Sequence, residues 1–208
     1  YEREGLSHKL TSPSEGCVKL KDIITKKYKH NFKITLSPED KMDVKPVTLE
    51  IDENRKVLPV NHTRPFDVPF HLRKPWEKEI RDAIEGDILR PVNYPSEWSP
   101  KAFAVPKQDS TKVRIVADFR QLNKALKRPH WPTESSGQLL CHICPKSRFF
   151  ATIDATSGYH QVPVSKDSQK YLTKVTLQDI YEYTVKSQGV CSSNDLFNIL
   201  TDGQVRFD

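Results

Sequence analysis

The sequence contains no long run of apolar residues. No stretch of its 208 residues approaches the roughly 18 consecutive apolar positions that a membrane-spanning helix needs. Nothing in it resembles a signal peptide. We therefore expect an intracellular, soluble protein, cytoplasmic or nuclear, with no membrane partner. A piece excised from a longer chain would show the same absences.

Cysteine is also scarce. The chain has four cysteines, and two of them form a single CxxC motif, Cys141-His142-Ile143-Cys144. A structural zinc site needs four ligands, and no second CxxC supplies the other two. No βαβ pattern surrounds the motif, which argues against a thioredoxin-like site. Reduced cysteines at a helix end are the favoured interpretation, and a metal site stays open as the alternative.

Charged residues are abundant. They make up 29% of the chain against 36% hydrophobic residues, a polar composition outside the disordered class. The formal net charge is +6, a modest basic excess that suits a polyanionic partner. The length is enough for one large domain or two small ones.

Hydrophobic spacing predicts two helices and a strand in the first half of the chain. The stretch "VKLKDIITKKYKHNF", residues 18–32, has apolar side chains near helical spacing, and "VTLEI", residues 47–51, alternates like an edge strand. The stretch "LRKPWEKEIRDAIEGD" predicts a helix with Pro75 at its first position and Gly86 at its end. Its predicted apolar face consists of Trp76, Ile80, Ala83 and Ile84.

The second half alternates strand and helix patterns. The segments "KAFAVPK" and "KVRIVADF" predict two strands joined by a turn at Gln108–Thr111, and "YLTKVT" and "IYEYTVK" predict a further hairpin. "TESSGQLLCHI" predicts a helix capped by Thr133. "SSNDLFNILTDG" predicts another, with Ser192 and Asp195 at capping-box spacing.

The first of these hairpins concentrates positive charge at its tip. The predicted turn places Lys107 opposite Lys112 and Val105 opposite Arg114. Since opposed residues share a face of the sheet, as do residues two apart, the three cations project from one side. Such a tip suits phosphate binding, although an ordinary solvated hairpin end has the same pattern.

One carboxylate ends an apolar segment in "FFATIDATSGYHQVPV", residues 149–164. The segment predicts a strand, then a turn or short helix, then a second strand, with Asp154 at the end of the first strand. A carboxylate at that place can hold Mg²⁺ at the edge of a sheet. The alternative is a turn-starting aspartate, which is common.

Three ordered segments resemble the fingers and palm of reverse transcriptases. They are "PKQDSTKVRIVADFRQLNK", "RFFATIDATSGYHQVPV" and "SQGVCSSNDLFNILTD", and the likeness extends over roughly residues 45–208. It is greatest to the Pol polyproteins of Gypsy-type long-terminal-repeat retrotransposons. The resemblance implies an α+β fold with right-hand polymerase fingers, an incomplete palm of mixed or antiparallel sheet plus helices, and an extended N-terminal connection.

The resemblance also implies a role for each matching residue in the nucleotide site. Lys107 and Arg114 match positions that grip the incoming deoxynucleotide triphosphate, and Tyr159 matches the aromatic ring that excludes a ribose 2′-hydroxyl. Gln188 and Gly189 match a loop that touches the nucleotide and the template strand.

A catalytic and a template-binding role are implied in the same way. Asp154 matches the first catalytic aspartate, which holds Mg²⁺ with help from the backbone carbonyl of Ala155. Asp118, Phe119 and Arg120 match a fingers segment that lies near the template. The expected partners are an RNA or DNA template-primer and deoxynucleotide triphosphates.

The sequence departs from the family pattern in its metal-binding carboxylates. No Asp-Asp pair occurs in the 208 residues, although the family carries one in a hairpin downstream of the last matching helix. Smaller departures are Lys186-Ser187 in place of an apolar residue and proline, Asp179-Ile180 in a turn that usually holds glycine, and Lys174 where an apolar residue or threonine is common.

These observations lead to a division of the chain and to two functional hypotheses. We expect an N-terminal connection over residues 1–60, fingers over 61–148, and the start of a palm over 149–208, with a partner or further palm covering the open sheet edge. The first hypothesis is part of an RNA-directed DNA polymerase, inactive by itself. The alternative is a domesticated, non-enzymatic relic that binds nucleic acid or a protein. Whether the chain is a fragment, a decayed copy or a domesticated gene stays open.

Overall fold

A computed structural model describes residues 15–33, 35–62, 64–94, 96–107, 112–146 and 154–202. The chain divides into two compact units, residues 1–35 and 36–208. The first unit contains α1 (Glu15–Lys27) and a 3-10 turn at Lys29–Asn31, which confirms the predicted amphipathic helix. Within the described residues, no helix has the length and apolar character needed to cross a membrane.

The second unit mixes helices and short antiparallel strands, which confirms the α+β class. Its elements are α2 (Phe70–Glu85), β1 (Leu89–Pro91), β2 (Ala102–Pro106), β3 (Val113–Ala117), α3 (Arg120–Ala125), α4 (Ser136–Cys141), α5 (Lys166–Gln169), β4 (Thr173–Val175), β5 (Ile180–Tyr183) and α6 (Ser193–Asp202), with 3-10 turns at Pro38–Asp40, Gly158–Gln161 and Lys170–Leu172. The separation of this unit into fingers and palm stays a prediction.

Two antiparallel sheets organise the described part of this unit. One has the strand order β1-β5-β4, and the other is the β2–β3 hairpin. The hairpin register pairs Val105 with Arg114, as the alternation of the sequence predicts. The predicted turn at 108–111 lies outside the described residues. The predicted β4–β5 hairpin is also confirmed.

Helix α2 supplies much of the hydrophobic core. It buries Leu72, Trp76 and Ile80, and the Trp76 side chain is only 1% exposed. The cluster around them includes Val113 of β3 and Phe119, which follows that strand. Burial of this size is the dominant favourable contribution to folding. Ala102 of β2 belongs to the same cluster, so both strands fix the hairpin to the body of the unit.

Two predicted element boundaries are wrong. Helix α2 begins at Phe70, so Pro75 lies inside it rather than at its first position, while Gly86 follows the last helical residue as predicted. A proline inside a helix removes one backbone hydrogen bond, and the burial of Leu72 one turn earlier keeps the first turn in place. The predicted strand at 47–51 forms only single bridges, from Val47 to Val164 and from Ile51 to Leu126.

Both predicted helix caps are also wrong. The Ser135 hydroxyl, not Thr133, accepts the Gln138 amide at the start of α4, and the Ser135 backbone donates to the Gln138 side chain. At the start of α6, the Ser192 hydroxyl has no hydrogen-bond partner among the described residues. The Asp195 carboxylate accepts a bond of 2.7 Å from the Arg128 guanidinium.

The turn between β4 and β5 shows why it tolerates Asp179 in place of glycine. Among the described non-glycine residues, positive φ angles occur only at Asp87 and Ser157, so Asp179 has an ordinary backbone conformation. The Thr176 hydroxyl donates to the Asp179 carbonyl, and the Asp179 carboxylate accepts the Ile180 amide. Local side-chain bonds of this kind replace the conformational freedom of glycine.

Candidate functional site

Three exposed cations lie at the tip of the β2–β3 hairpin. The Lys107 amide donates to the Lys112 carbonyl at 2.9 Å, which extends the ladder beyond the two strands. With Arg114 opposite Val105, this register places the Lys107, Lys112 and Arg114 side chains on one face. Lys107 Nζ lies 3.5 Å from Glu79 Oε1, an exposed pairing that contributes little and leaves the ammonium available.

Asp154 and Ala155 are both exposed, directly before the 3-10 turn at Gly158–Gln161. The strand predicted to precede Asp154 lies at 149–153, outside the described residues. Ser157 precedes the 3-10 turn with φ of +49°, a left-handed conformation that is uncommon for a residue with a side chain. Tyr159 and His160 lie in this turn, five and six residues after Asp154.

Tyr159 is half-buried and packs against α6. Its ring meets the Phe197 ring edge to face, with 5.6 Å between centroids and an interplanar angle of 84°. Its hydroxyl lies 3.5 Å from Asn194 Oδ1. Edge-to-face aromatic pairs add to the energy of simple burial.

His160 lies in a largely buried environment with two lysines nearby. Its ring stacks on Tyr183 of β5 at 6.2 Å. Burial, together with the nearby positive charges of Lys174 and Lys107, lowers the pKa of His160 from 6.5 to about 4. The imidazole is therefore neutral at pH 7, and Lys107 of the hairpin is one of the two cations whose charge acts on it.

The Gln188-Gly189 loop lies against the segment that follows β3. Gly189 has φ of +89°, a conformation that side-chain-bearing residues rarely adopt. The Asn123 side chain donates to the Gly189 carbonyl at 2.8 Å and accepts the Cys191 amide at 2.8 Å. A Cβ atom at Gly189 would lie 3.8 Å from Phe119. Two of the predicted site segments are therefore in contact.

The three residues predicted to lie near the template differ in accessibility. Asp118 and Arg120 form an exposed bidentate pair with an Nη2–Oδ2 distance of 2.6 Å, and the Arg120 hydrogen bonds lower the pKa of Asp118. Phe119 is only 2% exposed and belongs to the core. The Phe119 ring can act only by holding its two neighbours, and a template contact in this segment stays a prediction.

Sequence reasoning did not foresee two buried lysines beside the site. Lys174 is fully buried, and its Nζ donates to the Tyr183 hydroxyl at 3.0 Å and lies over that ring. Lys186 is 1% exposed and donates to the Ser192 carbonyl at 2.8 Å. The sequence showed that both lysines depart from the residues common in the family at these positions. That departure did not indicate that their side chains are buried.

Asp154 and the Ala155 carbonyl are the candidate ligands for a magnesium ion. Mg²⁺ is usually bound by one or two carboxylates together with phosphates and waters. Asp154 and the Ala155 carbonyl are exposed and could take part. No group of three or more histidine, cysteine, aspartate or glutamate side chains able to hold a metal occurs within the described residues. The described residues therefore do not form a metal site by themselves.

The CxxC motif is likewise not a metal centre among the described residues. Cys141 and Cys144 are exposed and free, and the intervening His142 lies 3.2 Å from Glu134. The group lacks the further ligands of a structural zinc site.

Comparisons with known proteins show similarity to reverse transcriptases and Pol polyproteins. The family model described as "Reverse transcriptase (RNA-dependent DNA polymerase)" matches residues 105–206. The chain is 24% identical over 149 residues, 70% of its length, to the retrovirus-related Pol polyprotein from transposon opus of Drosophila melanogaster. It is 25% identical over 133 residues, 62% of its length, to that from transposon gypsy of the same organism. The chain spans only 15% and 13% of those polyproteins.

A solved structure gives the same result for the fold. The chain superimposes with a TM-score of 0.74 and 20% identity on a foamy viral protease-reverse transcriptase in complex with an RNA/DNA hybrid, over 93% of this chain and 25% of that one. The resemblance and fold stated from the sequence are therefore confirmed. The chain is similar to retrotransposon Pol polyproteins, and its residues 105–206 match the model of the reverse transcriptase family.

Proposed function

We propose that this chain supplies the nucleotide-gripping fingers hairpin and the first metal-binding carboxylate of an RNA-directed DNA polymerase. Lys107 and Arg114 hold the triphosphate, Asp154 and the Ala155 carbonyl hold Mg²⁺, and Tyr159 excludes ribonucleotides. The Gln188-Gly189 loop contacts the nucleotide, and Asp118 and Arg120 lie near the template. The template-primer partner follows the foamy viral relative, which is solved with an RNA/DNA hybrid.

One observation carries the proposal. The hairpin register puts three cations on one face, and burial, together with the positive charges of Lys174 and Lys107, lowers the pKa of His160. His160 is the neighbour of Tyr159 in the 3-10 turn that follows Asp154. We therefore assign the phosphate-binding cations and the sugar-discriminating ring to one site. Phosphoryl transfer depends on such positioning and charge neutralisation.

The proposal predicts that the hairpin cations dominate nucleotide affinity. Replacing both Lys107 and Arg114 with alanine should weaken dCTP binding by at least about tenfold, because each charge-assisted hydrogen bond to phosphate contributes about 1.5–3 kcal/mol. Binding is measured by calorimetry in low salt with Mg²⁺ present. The control is Lys56→Ala with Lys166→Ala, which removes equal charge from two other exposed positions. An equal loss in both variants would show only a nonspecific effect of net charge and would contradict the proposal.

A second prediction concerns catalysis. Two-metal polymerisation needs several carboxylates, and the resemblance assigns a metal-binding role to Asp154. We expect no primer extension by this chain alone on an RNA template with a DNA primer, deoxynucleotides and Mg²⁺. The assay is a denaturing gel with single-nucleotide resolution. Extension that disappears in the Asp154→Asn variant would contradict the expectation of inactivity and support a complete active site.

The cationic face of the hairpin also supports a second candidate function, a nucleic-acid-binding protein without polymerase activity. Such a protein would bind an RNA/DNA hybrid with an affinity that falls steeply with salt concentration. It would show no selective binding of free dCTP, which separates it from the first proposal.

A further inference from the structure

We infer that Asn194 and Phe197, both on α6, are positioning residues that set the orientation of the Tyr159 ring and so determine sugar discrimination. This inference rests on the proposed function, in which Tyr159 excludes the ribose 2′-hydroxyl. The resemblance assigns a role to Tyr159 alone. The described contacts connect that ring to two side chains one helical turn apart.

Phe197 fixes the ring from one side. The two rings meet at 84° with 5.6 Å between centroids, so the edge of one ring meets the face of the other. Phe197 also lies directly beside the residue before Tyr159. A Cβ atom at Gly158 would lie 3.0 Å from Phe197 Cζ, tighter than nine in ten real Cβ contacts. Phe197 therefore packs against both the Tyr159 ring and the glycine that precedes it.

Asn194 acts on the other end of the ring. Its Oδ1 atom lies 3.5 Å from the Tyr159 hydroxyl, which is a long contact for a hydrogen bond. Asn194 and Phe197 are three residues apart on a helix, so their side chains lie on one face. On this face of α6, Phe197 contacts the Tyr159 ring and Asn194 contacts the Tyr159 hydroxyl.

Helix α6 is held in place by a bond to another segment, so its side chains can fix the orientation of the Tyr159 ring. The Asp195 carboxylate, 6% exposed, accepts a bond of 2.7 Å from Arg128. This bond ties α6 to the segment that follows α3.

Steric exclusion of a hydroxyl group depends on where the ring edge stands. A ring held at one angle can penalise a 2′-hydroxyl consistently, whereas a ring free to rotate can move away from it. A neutral hydrogen bond of ordinary length corresponds to about 1 kcal/mol, or roughly fivefold in an equilibrium ratio, and this contact is longer. We therefore expect Asn194→Ala to lower the preference for dCTP over CTP by up to about fivefold, with a larger loss for Phe197→Leu.

The experiment measures dissociation constants for dCTP and CTP, which differ only in the 2′-hydroxyl. The variants are Asn194→Ala, Phe197→Leu, Tyr159→Phe and the Tyr159→Phe/Asn194→Ala double variant. Asn198→Ala is the matched control, since it removes an asparagine of the same helix that bonds to Thr133 instead. If the Tyr159 hydroxyl and Asn194 act together, the two single changes reduce the preference similarly and the double variant reduces it no further.

The outcomes distinguish the inference from the function on which it rests. A wild-type chain that binds no dCTP, or binds dCTP and CTP equally, overturns the nucleotide role and the inference together. A wild-type preference that survives in Asn194→Ala and Phe197→Leu overturns the inference alone. A lower preference in Asn194→Ala with the control unchanged supports it, because a general loss of structure would weaken both nucleotides equally.

Discussion

Replacing Lys186 with methionine is expected to stabilise the protein by on the order of 2–4 kcal/mol at pH 7 and below. Lys186 is 1% exposed, and the Asp195 carboxylate, the nearby negative charge, is paired with Arg128. Burial of an ammonium group without a close counter-ion is costly, and well-packed apolar replacements of buried charges are often stabilising. The Ser192 carbonyl keeps the Leu196 amide as a donor after the lysine is lost.

The pH dependence of this effect has a definite sign. Burial lowers the pKa of Lys186 from 10.5 to about 7, against the smaller opposing effects of Asp195 and Cys191. Between these two values the unfolded chain binds a proton that the folded chain does not, so this residue makes stability rise with pH by about 1.4 kcal/mol per unit. Below pH 7 its cost is present in full. The gain from methionine should therefore shrink as pH rises from 7 towards 10.

Urea unfolding followed by tryptophan fluorescence at several pH values measures the difference between the two proteins. The comparison cancels the pH dependence of all other groups. Lys166→Met, at an exposed position on α5, is the control and should change stability by less than about 0.5 kcal/mol at every pH. A methionine variant that is less stable than the wild type at pH 6 would contradict the description of Lys186 as a desolvated cation.

Replacing Trp76 with alanine is expected to destabilise the second unit by about 3–5 kcal/mol. The side chain is 1% exposed, and its indole donates to Gln178 Oε1 at 2.9 Å. Such a loss is a large fraction of the stability of an ordinary domain. Because Trp76 is buried, this expectation treats it as a core residue and not as a stacking platform for bases.

Trp76→Phe separates the packing of Trp76 from its hydrogen bond. Phenylalanine fills most of the space but cannot donate to Gln178, so a smaller loss of about 1–2 kcal/mol is expected. Trp131→Ala is the control, since that side chain is 37% exposed and should contribute less than about 0.5 kcal/mol. Urea unfolding of all three variants checks the order. Equal stability of Trp76→Ala and the wild type would show that α2 does not pack as described.

The features predicted correctly from the sequence depend on local alternation and turn chemistry. The β2–β3 register follows from a short connection between two alternating segments, so the pairing of Val105 with Arg114 was accessible without a structure. Gly86 marks the end of α2 because a helix commonly stops at glycine. The ordered family segments added the fold, which no single short motif could have provided.

The features that sequence reasoning missed involve partners far away in the chain. The capping box expected at Ser192 and Asp195 does not form because Arg128, 67 residues earlier, holds the carboxylate. The burial of Lys174 depends on its packing against Tyr183 of the neighbouring strand. The contacts of Phe197 with Gly158 and Tyr159 join segments separated by nearly 40 residues. Local propensity contains no information on such contacts.

Photolabelling with a deoxynucleotide tests most directly whether these segments form one nucleotide site. The chain is irradiated with 8-azido-dATP and Mg²⁺, and the labelled peptides are identified by mass spectrometry. The account predicts labels within residues 101–120, 154–161 or 186–194, removed by excess dATP and absent in Lys107→Ala with Arg114→Ala. Labels confined to the basic helix α1, or labels that excess dATP does not remove, would contradict it.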